Sequence, residues 1–186
     1  MRFLLLLLAL TGPALARPGD TVTLPGEART GADLRPVRFT FVCSANDGPH
    51  VTGVLGVDLE VPHHATLRPV FDFDSFEGPD AAAGRRTRLE TTAGGTPVQL
   101  QLAVSGSIGV AEDAPFIFSA IAARRQDAAR LAELSRLLAP LTLGAAPFTW
   151  SQGHARPGGT AIQARLEVSA ADAQRLREVL APCLAR

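Results

Sequence analysis

Four carboxylates lie within nine residues of the segment from Phe71 to Asp80, the densest group of chemically active side chains in the sequence. The segment reads FDFDSFEGPD, with acids at Asp72, Asp74, Glu77 and Asp80. Carboxylate oxygens are the ligands that hard cations such as calcium prefer. The spacing departs from an EF-hand loop, because the glycine comes late and Phe76 stands where an oxygen ligand is needed. A calcium-stabilised module that uses Asp72, Asp74 and Glu77 is therefore an alternative and not the first choice.

The phenylalanines of this segment favour a simpler interpretation. Phe71, Phe73 and Phe76 can anchor an ordered loop in the core, while the acids between them face solvent. Ordered loops on a rigid scaffold often carry binding residues. We therefore expect this loop to be the ligand-binding surface, and its candidate residues are Asp72, Asp74, Glu77, Asp80, Phe73 and Phe76.

Metal-binding patterns are weak elsewhere in the chain. Of the four histidines, His63 and His64 are adjacent, so on a strand they would point to opposite faces. His50 follows a turn and His154 lies in a loop rich in glycine and proline, which favours solvated side chains. The sequence has no His-x-x-x-His pair and no Cys-x-x-Cys motif. We therefore expect no metal and no cofactor.

Two catalytic patterns are incomplete. The run from Ser105 to Gly109, SGSIG, has a serine where the nucleophile elbow has its first glycine, and no helix is predicted after it. A Ser/Gly turn after a strand accounts for it better. Asp58 and Glu60 share one face of a predicted strand, as the two carboxylates of a glycoside-cleaving enzyme could, although they could equally form its wet side. A cell-envelope hydrolase that uses Asp58, Glu60 or the acids of 71–80 is the second hypothesis.

Arginines cluster at the start of a predicted hairpin, at Arg85, Arg86 and Arg88. Charged residues at strand ends commonly form a solvated edge that prevents edge-to-edge aggregation. The same residues could dock a carboxylate or a phosphate. We favour the solvated edge.

Alternation of apolar and polar residues predicts seven strands. They lie at 39–43, 51–61, 87–91, 98–104, 116–121, 148–150 and 162–168, and three hairpins join neighbouring runs. Helical spacing predicts one helix over 127–138, and a second that begins at Ser169 with Asp172 in the capping-box position. The predicted fold is α+β, an antiparallel sheet of about seven strands with two amphipathic helices packed on it, in the order βββββ-α-ββ-α.

The first sixteen residues have the three parts of a secretory signal peptide. Arg2 supplies the charge, FLLLLLAL the apolar run, and Ala14-Leu15-Ala16 the small-residue cleavage site. The apolar run is too short to span a membrane. We expect residues 17–36 to be an extended lead-in and 37–186 to be a single globular domain. In an oxidising compartment, Cys43 and Cys183 are expected to form a disulfide that ties the last helix to an early strand.

The net charge and the residue usage of the chain limit the kinds of binding partner that we expect. Without Arg2, 17 arginines face 18 acids, and a net charge of −1 gives no general reason to expect nucleic acid or anionic lipid. Every basic residue other than histidine is arginine, and alanine, glycine and proline are abundant, which indicates a GC-rich bacterial source and hence a periplasmic location. The leading hypothesis is a small exported, non-enzymatic domain that binds a periplasmic protein or a small ligand, through the 71–80 loop or an uncovered sheet edge.

Overall fold

The structure is a computed structural model that describes residues 21–44, 53–77, 86–109 and 114–184. The described residues form nine strands and two α-helices. These are β1 Thr21–Thr30, β2 Asp33–Ser44, β3 Val54–Val61, β4 Thr87–Ala93, β5 Thr96–Leu102, β6 Ser105–Ile108, β7 Phe116–Ala123, α1 Ala128–Leu138, β8 Ala146–Gln152, β9 Ile162–Val168 and α2 Ala170–Leu180. The proposed signal peptide and Asp80 lie outside the described residues. Within these ranges, no helix has the length and apolar character needed to cross a bilayer.

All nine strands belong to one antiparallel sheet, in the order β5-β4-β8-β9-β1-β2-β3-β7-β6. The α+β class is confirmed, and so are the hairpins β2–β3, β4–β5 and β8–β9. The strand count and order differ from the prediction of about seven. β1 and the first residues of β2 occupy the described part of the predicted lead-in, and β6 replaces the predicted Ser/Gly turn.

The sheet curls into a half-barrel. Its two edge strands, β5 and β6, are consecutive in the chain and only Ala103 and Val104 separate them, so one corner of the sheet nearly meets the other. Arg130 of α1 donates a hydrogen bond to the Ala103 carbonyl at this corner (2.8 Å). The rings of Phe39 on β2 and Phe148 on β8 have centroids 5.6 Å apart, although three strand spacings would separate them by about 14 Å in a flat sheet.

Both helices cover the inner face of this half-barrel. α1 packs against β3, β4, β5 and β7, and α2 packs against β1 and β2. Asp127 caps α1 by accepting from the Arg130 backbone N–H (2.9 Å), and Ser169 and Asp172 form the predicted capping box of α2. The Cys43–Cys183 disulfide is confirmed, and it fastens the segment after α2 to β2.

Candidate functional site

The segment 62–77 crosses from β3 toward the edge strand β6, and its second half is held by aromatic packing. Phe71, Phe73 and Phe76 are at most 2% exposed and lie against Phe116 and Phe118 of β7, with ring centroids 4.8–6.1 Å apart. At its end, Glu77 pairs with Gly106 of β6 through a parallel β-bridge. Phe73 and Phe76 therefore hold the loop in place, and Asp74 and Glu77 are exposed to solvent.

The acids of this loop point outward, as a loop anchored by alternate phenylalanines requires, and two of them already have partners. The Asp72 carboxylate accepts from the Ser75 hydroxyl (2.7 Å) and more weakly from the Ser75 backbone N–H (3.4 Å). The Ser75 hydroxyl is the main reason that the pKa of Asp72 lies below its ordinary value, and the nearby Arg156 contributes. Asp74 forms an ion pair with Arg68 (3.0 Å). Glu77 is exposed.

A second loop, after β8, meets the first. The Arg156 backbone N–H donates to Nδ1 of His154 (2.8 Å), so in the neutral ring the proton resides on Nε2. The His154 ring packs edge-on against Phe71, with centroids 5.5 Å apart. The Gly153 N–H donates to the Arg86 carbonyl (2.7 Å), which brings the residue before β4 alongside this loop. Three separate chain segments therefore converge on one surface.

Two adjoining clefts open on this surface, with volumes of about 230 and 420 Å³, and Asp72, Asp74 and Arg156 line both. We call the combined surface the mixed-charge cleft. Its charged and titratable residues are Arg68, Asp72, Asp74, Glu77, Arg86, His154 and Arg156. The sequence identified the three acids but did not show that three arginines and His154 lie beside them. Arg86 precedes β4, and His154 and Arg156 follow β8, and these strands become neighbours only in the folded sheet.

The balance of charge in this cleft does not favour calcium. Three guanidinium groups line the same two clefts as the three carboxylates, and Asp72 and Asp74 are engaged by Ser75 and Arg68. A divalent cation would have to displace these partners and would meet their repulsion. Among the described residues, no group of three histidine, cysteine, aspartate or glutamate side chains is arranged to hold a metal ion.

A larger pocket of about 600 Å³ lies on the outer face of the sheet, and the sequence analysis missed it. Pro36 lies in β2, Pro62 directly follows β3 and Pro115 directly precedes β7, and these three neighbouring strands bring all three prolines to the same pocket. With Arg38, Glu60 and His63 they form what we call the proline pocket. Each proline stands near a predicted strand boundary, but the sequence does not tell which strands are neighbours, so no local pattern reveals this grouping.

The ion pair at this pocket is well supported. Arg38 donates to one oxygen of Glu60 through Nε (2.9 Å) and Nη2 (2.6 Å), and the Thr40 hydroxyl donates to the other oxygen (2.9 Å). The Glu60 side chain is 16% exposed, whereas that of Arg38 is 62% exposed. The carboxylate therefore acts as a fixed support behind an accessible guanidinium group.

Asp58 lies next to Glu60 on the same face of β3. Burial is the main reason that the pKa of Asp58 lies above its ordinary value, and a hydrogen bond from Ser119 opposes that shift. The two carboxylates stand side by side on one strand, and Glu60 is neutralised by Arg38. They do not face each other across a cleft, which is the arrangement that the hydrolase hypothesis needs. Ser105 and Ser107 lie in the edge strand β6, so they form no nucleophile elbow.

The two surfaces differ in chemistry and lie on different parts of the sheet. The mixed-charge cleft is built from loops and presents both signs of charge, and the proline pocket is largely apolar with a single ion pair at its edge. A search for similar proteins finds no family model, no curated protein and no solved structure that matches this chain.

Proposed function

We propose that this protein is an exported, non-enzymatic binding domain whose mixed-charge cleft takes an extended segment of a protein partner. The observation that carries the proposal is the convergence of three guanidinium and three carboxylate groups from three chain segments on two adjoining clefts. A peptide that carries both signs of charge complements such a surface. The clefts are continuous through Asp72, Asp74 and Arg156, so an extended segment can lie along both.

The unpaired charges of the cleft indicate how such a segment would bind. Within the described residues, the guanidinium groups of Arg86 and Arg156 and the carboxylate of Glu77 make no ion pair or side-chain hydrogen bond. Arg156 can therefore receive a ligand carboxylate, and Glu77 a ligand cation. The paired residues Arg68 and Asp74 fix the shape of the cleft between them.

The cleft is also held rigidly, which lowers the entropic cost of binding. The phenylalanines fix one loop, and the Gly153–Arg86 backbone bond fixes the other. The buried side-chain oxygen Oε1 of Gln152 accepts from the Thr87 hydroxyl (2.7 Å), which joins β4 to β8 just below the cleft, and from the Trp150 indole N–H (3.2 Å) within β8.

The test is an amide NMR titration with three capped pentapeptides that contain one Glu and one Arg, Glu alone, or Arg alone, in an alanine background. We expect saturable shifts in residues 72–77 and 154–156, strongest with the peptide that carries both charges. Arg156→Ala should weaken that binding about tenfold, because it removes a charge-assisted hydrogen bond. Arg165→Ala is the matched control, since Arg165 is also an exposed arginine and it pairs with Glu167 in β9, away from the cleft. An absence of saturable shifts, or equal binding by the Arg156→Ala variant, would show the proposal to be wrong.

A further inference from the structure

The walls of the proline pocket are rigid and apolar. Pro36, Pro62 and Pro115 have a ring-restricted backbone angle φ, and Val37 and Ala114 complete the apolar lining. Its volume, about 600 Å³, falls within the range of about 300–1,000 Å³ that is usual for small-molecule sites. Such sites combine apolar walls with a few placed polar groups.

A partly buried arginine holds the turn that forms one side of this pocket. The side chain of Arg35 is 12% exposed and donates to both carboxylate oxygens of Asp33 (2.7 and 2.9 Å). It also donates to the Pro62 carbonyl (2.9 Å) and the His63 carbonyl (3.1 Å). The Arg35 side chain therefore fixes the turn at Pro62 and His63, and the pocket is already open in this structure.

His63, on the rim, adopts a left-handed backbone conformation with φ of 50°. Among the described residues, it is the single non-glycine residue with a positive φ. Such conformations persist where the surroundings impose them, and they cluster at ligand sites. Here the hydrogen bonds to the His63 carbonyl from Arg35 (3.1 Å) and from the Thr66 hydroxyl (2.9 Å) impose it, and they keep the side chain at the rim of the pocket.

Arg38 is the polar group of this pocket that still has N–H groups available for a ligand. Two of its nitrogens are committed to Glu60, and within the described part of the chain Nη1 has no partner. A guanidinium group held by a carboxylate on one side offers its remaining N–H groups in a fixed direction on the other. The acceptor that matches such an arrangement is a carboxylate.

We infer that the proline pocket is a second binding site, and that it takes a small carboxylic acid whose apolar body lies against the prolines and whose carboxylate accepts from Arg38. This inference is independent of the mixed-charge cleft, because the two surfaces share no residue.

The experiment is an amide NMR titration of the whole protein with 4-phenylbutanoate, and with 4-phenylbutanamide as the uncharged probe of the same shape. We expect saturable shifts from 4-phenylbutanoate at residues 36–38, 60–63 and 114–115, and affinity at least about tenfold lower for the amide. Equal affinity for the two probes would overturn the assignment of a carboxylate ligand, and an absence of saturable shifts at these residues would overturn the site itself.

Variants separate binding from folding. Arg38→Gln should lower the affinity for 4-phenylbutanoate by about tenfold or more, because it removes the charged donor. Arg165→Gln is the control, since its side chain is 66% exposed and also pairs with a glutamate on the outer face. Where Arg38→Gln disturbs the amide spectrum as a whole, Arg38→Lys takes its place, and the expected result is weaker binding because lysine keeps the charge but lacks the planar fork. Unchanged affinity in a folded variant at position 38 would overturn the inference.

Discussion

His64 shows how one buried residue couples the 62–77 segment to pH. Its side chain is 7% exposed, and its ring lies between Phe73 (5.3 Å) and Phe116 (5.8 Å). Burial is the main cause that lowers the pKa of His64 below its ordinary value, with a smaller contribution from Arg68. A hydrogen bond to the Ala114 backbone and the carboxylates of Glu77 and Asp74 oppose the shift without cancelling it. The native protein therefore holds this ring in its neutral form.

The consequence is a loss of stability in mild acid. As the pH falls below about 6.5, the unfolded chain binds a proton at His64 before the native state does, so the free energy of unfolding falls with decreasing pH toward the lowered native pKa. His64→Gln keeps a hydrogen-bond donor but cannot titrate, so the free energy of unfolding should depend less on pH between 7 and 5 than in the wild type. Urea denaturation of both proteins over this pH range measures the difference. Parallel pH profiles would contradict the assignment.

At the level of residues, the sequence predicts features that depend on neighbouring residues, but not contacts between segments that are distant in sequence. The burial of Phe71, Phe73 and Phe76 follows from their alternation with acids, and the cap at Ser169 follows from its spacing to Asp172. The positions of Arg86 and Arg156 beside the acidic loop could not be found in this way. The two arginines reach the acidic loop only through the pairing of β4 with β8, which no short pattern encodes.

Among the elements, β1 is the strand that the sequence hid most completely. On its inner face, Val22 and Leu24 are followed by Gly26, Ala28 and Thr30, so the run has too few large apolar residues to be recognised as a core strand. The small residues are needed because the ring of Phe39 leans across β1. A Cβ atom on Gly26 would lie 2.6 Å from Cε2 of Phe39 and 2.6 Å from the Arg165 carbonyl oxygen.

Gly26→Ala should therefore destabilise the protein by about 1–3 kcal/mol, since one of its two obstacles is backbone and cannot move aside. Gly144→Ala provides the control, because nothing lies within 4 Å of the added carbon there. Thermal unfolding of the two variants should show a lower melting temperature for Gly26→Ala alone. A melting temperature equal to that of the wild type would mean that the curl of the sheet does not depend on this close approach.

The edge strand β6 was missed for a related reason. Ser105–Ile108 is only four residues long and contains Gly106, a composition typical of turns. Its pairing with β7 becomes evident only when Phe116 and Phe118 are known to lie beside it. The pairings β1–β9 and β3–β7 join segments that are far apart in sequence, so no local pattern indicates them.

For the molecule as a whole, the disulfide is a covalent link between two segments that are far apart in sequence. Cys43 and Cys183 are 140 residues apart in sequence and their Cα atoms are 5.7 Å apart. Replacing both by alanine should lower the free energy of unfolding by up to about 5 kcal/mol, because the unfolded chain regains the freedom of a long loop. Equilibrium denaturation of the oxidised protein and of the double variant gives the value. An unchanged denaturation midpoint would show that the packing of α2 on β1 and β2 suffices by itself.

The central position of β1 between β9 and β2 sets the order in which the fold can be completed. During synthesis β1 emerges before the other described strands, yet one edge of β1 stays unpaired until residues 162–168 have emerged. Contacts of such high sequence separation form slowly, since loop closure must precede them. Residues up to the end of β9 must therefore have emerged before the sheet can become continuous, which keeps a partly emerged chain from reaching its final structure.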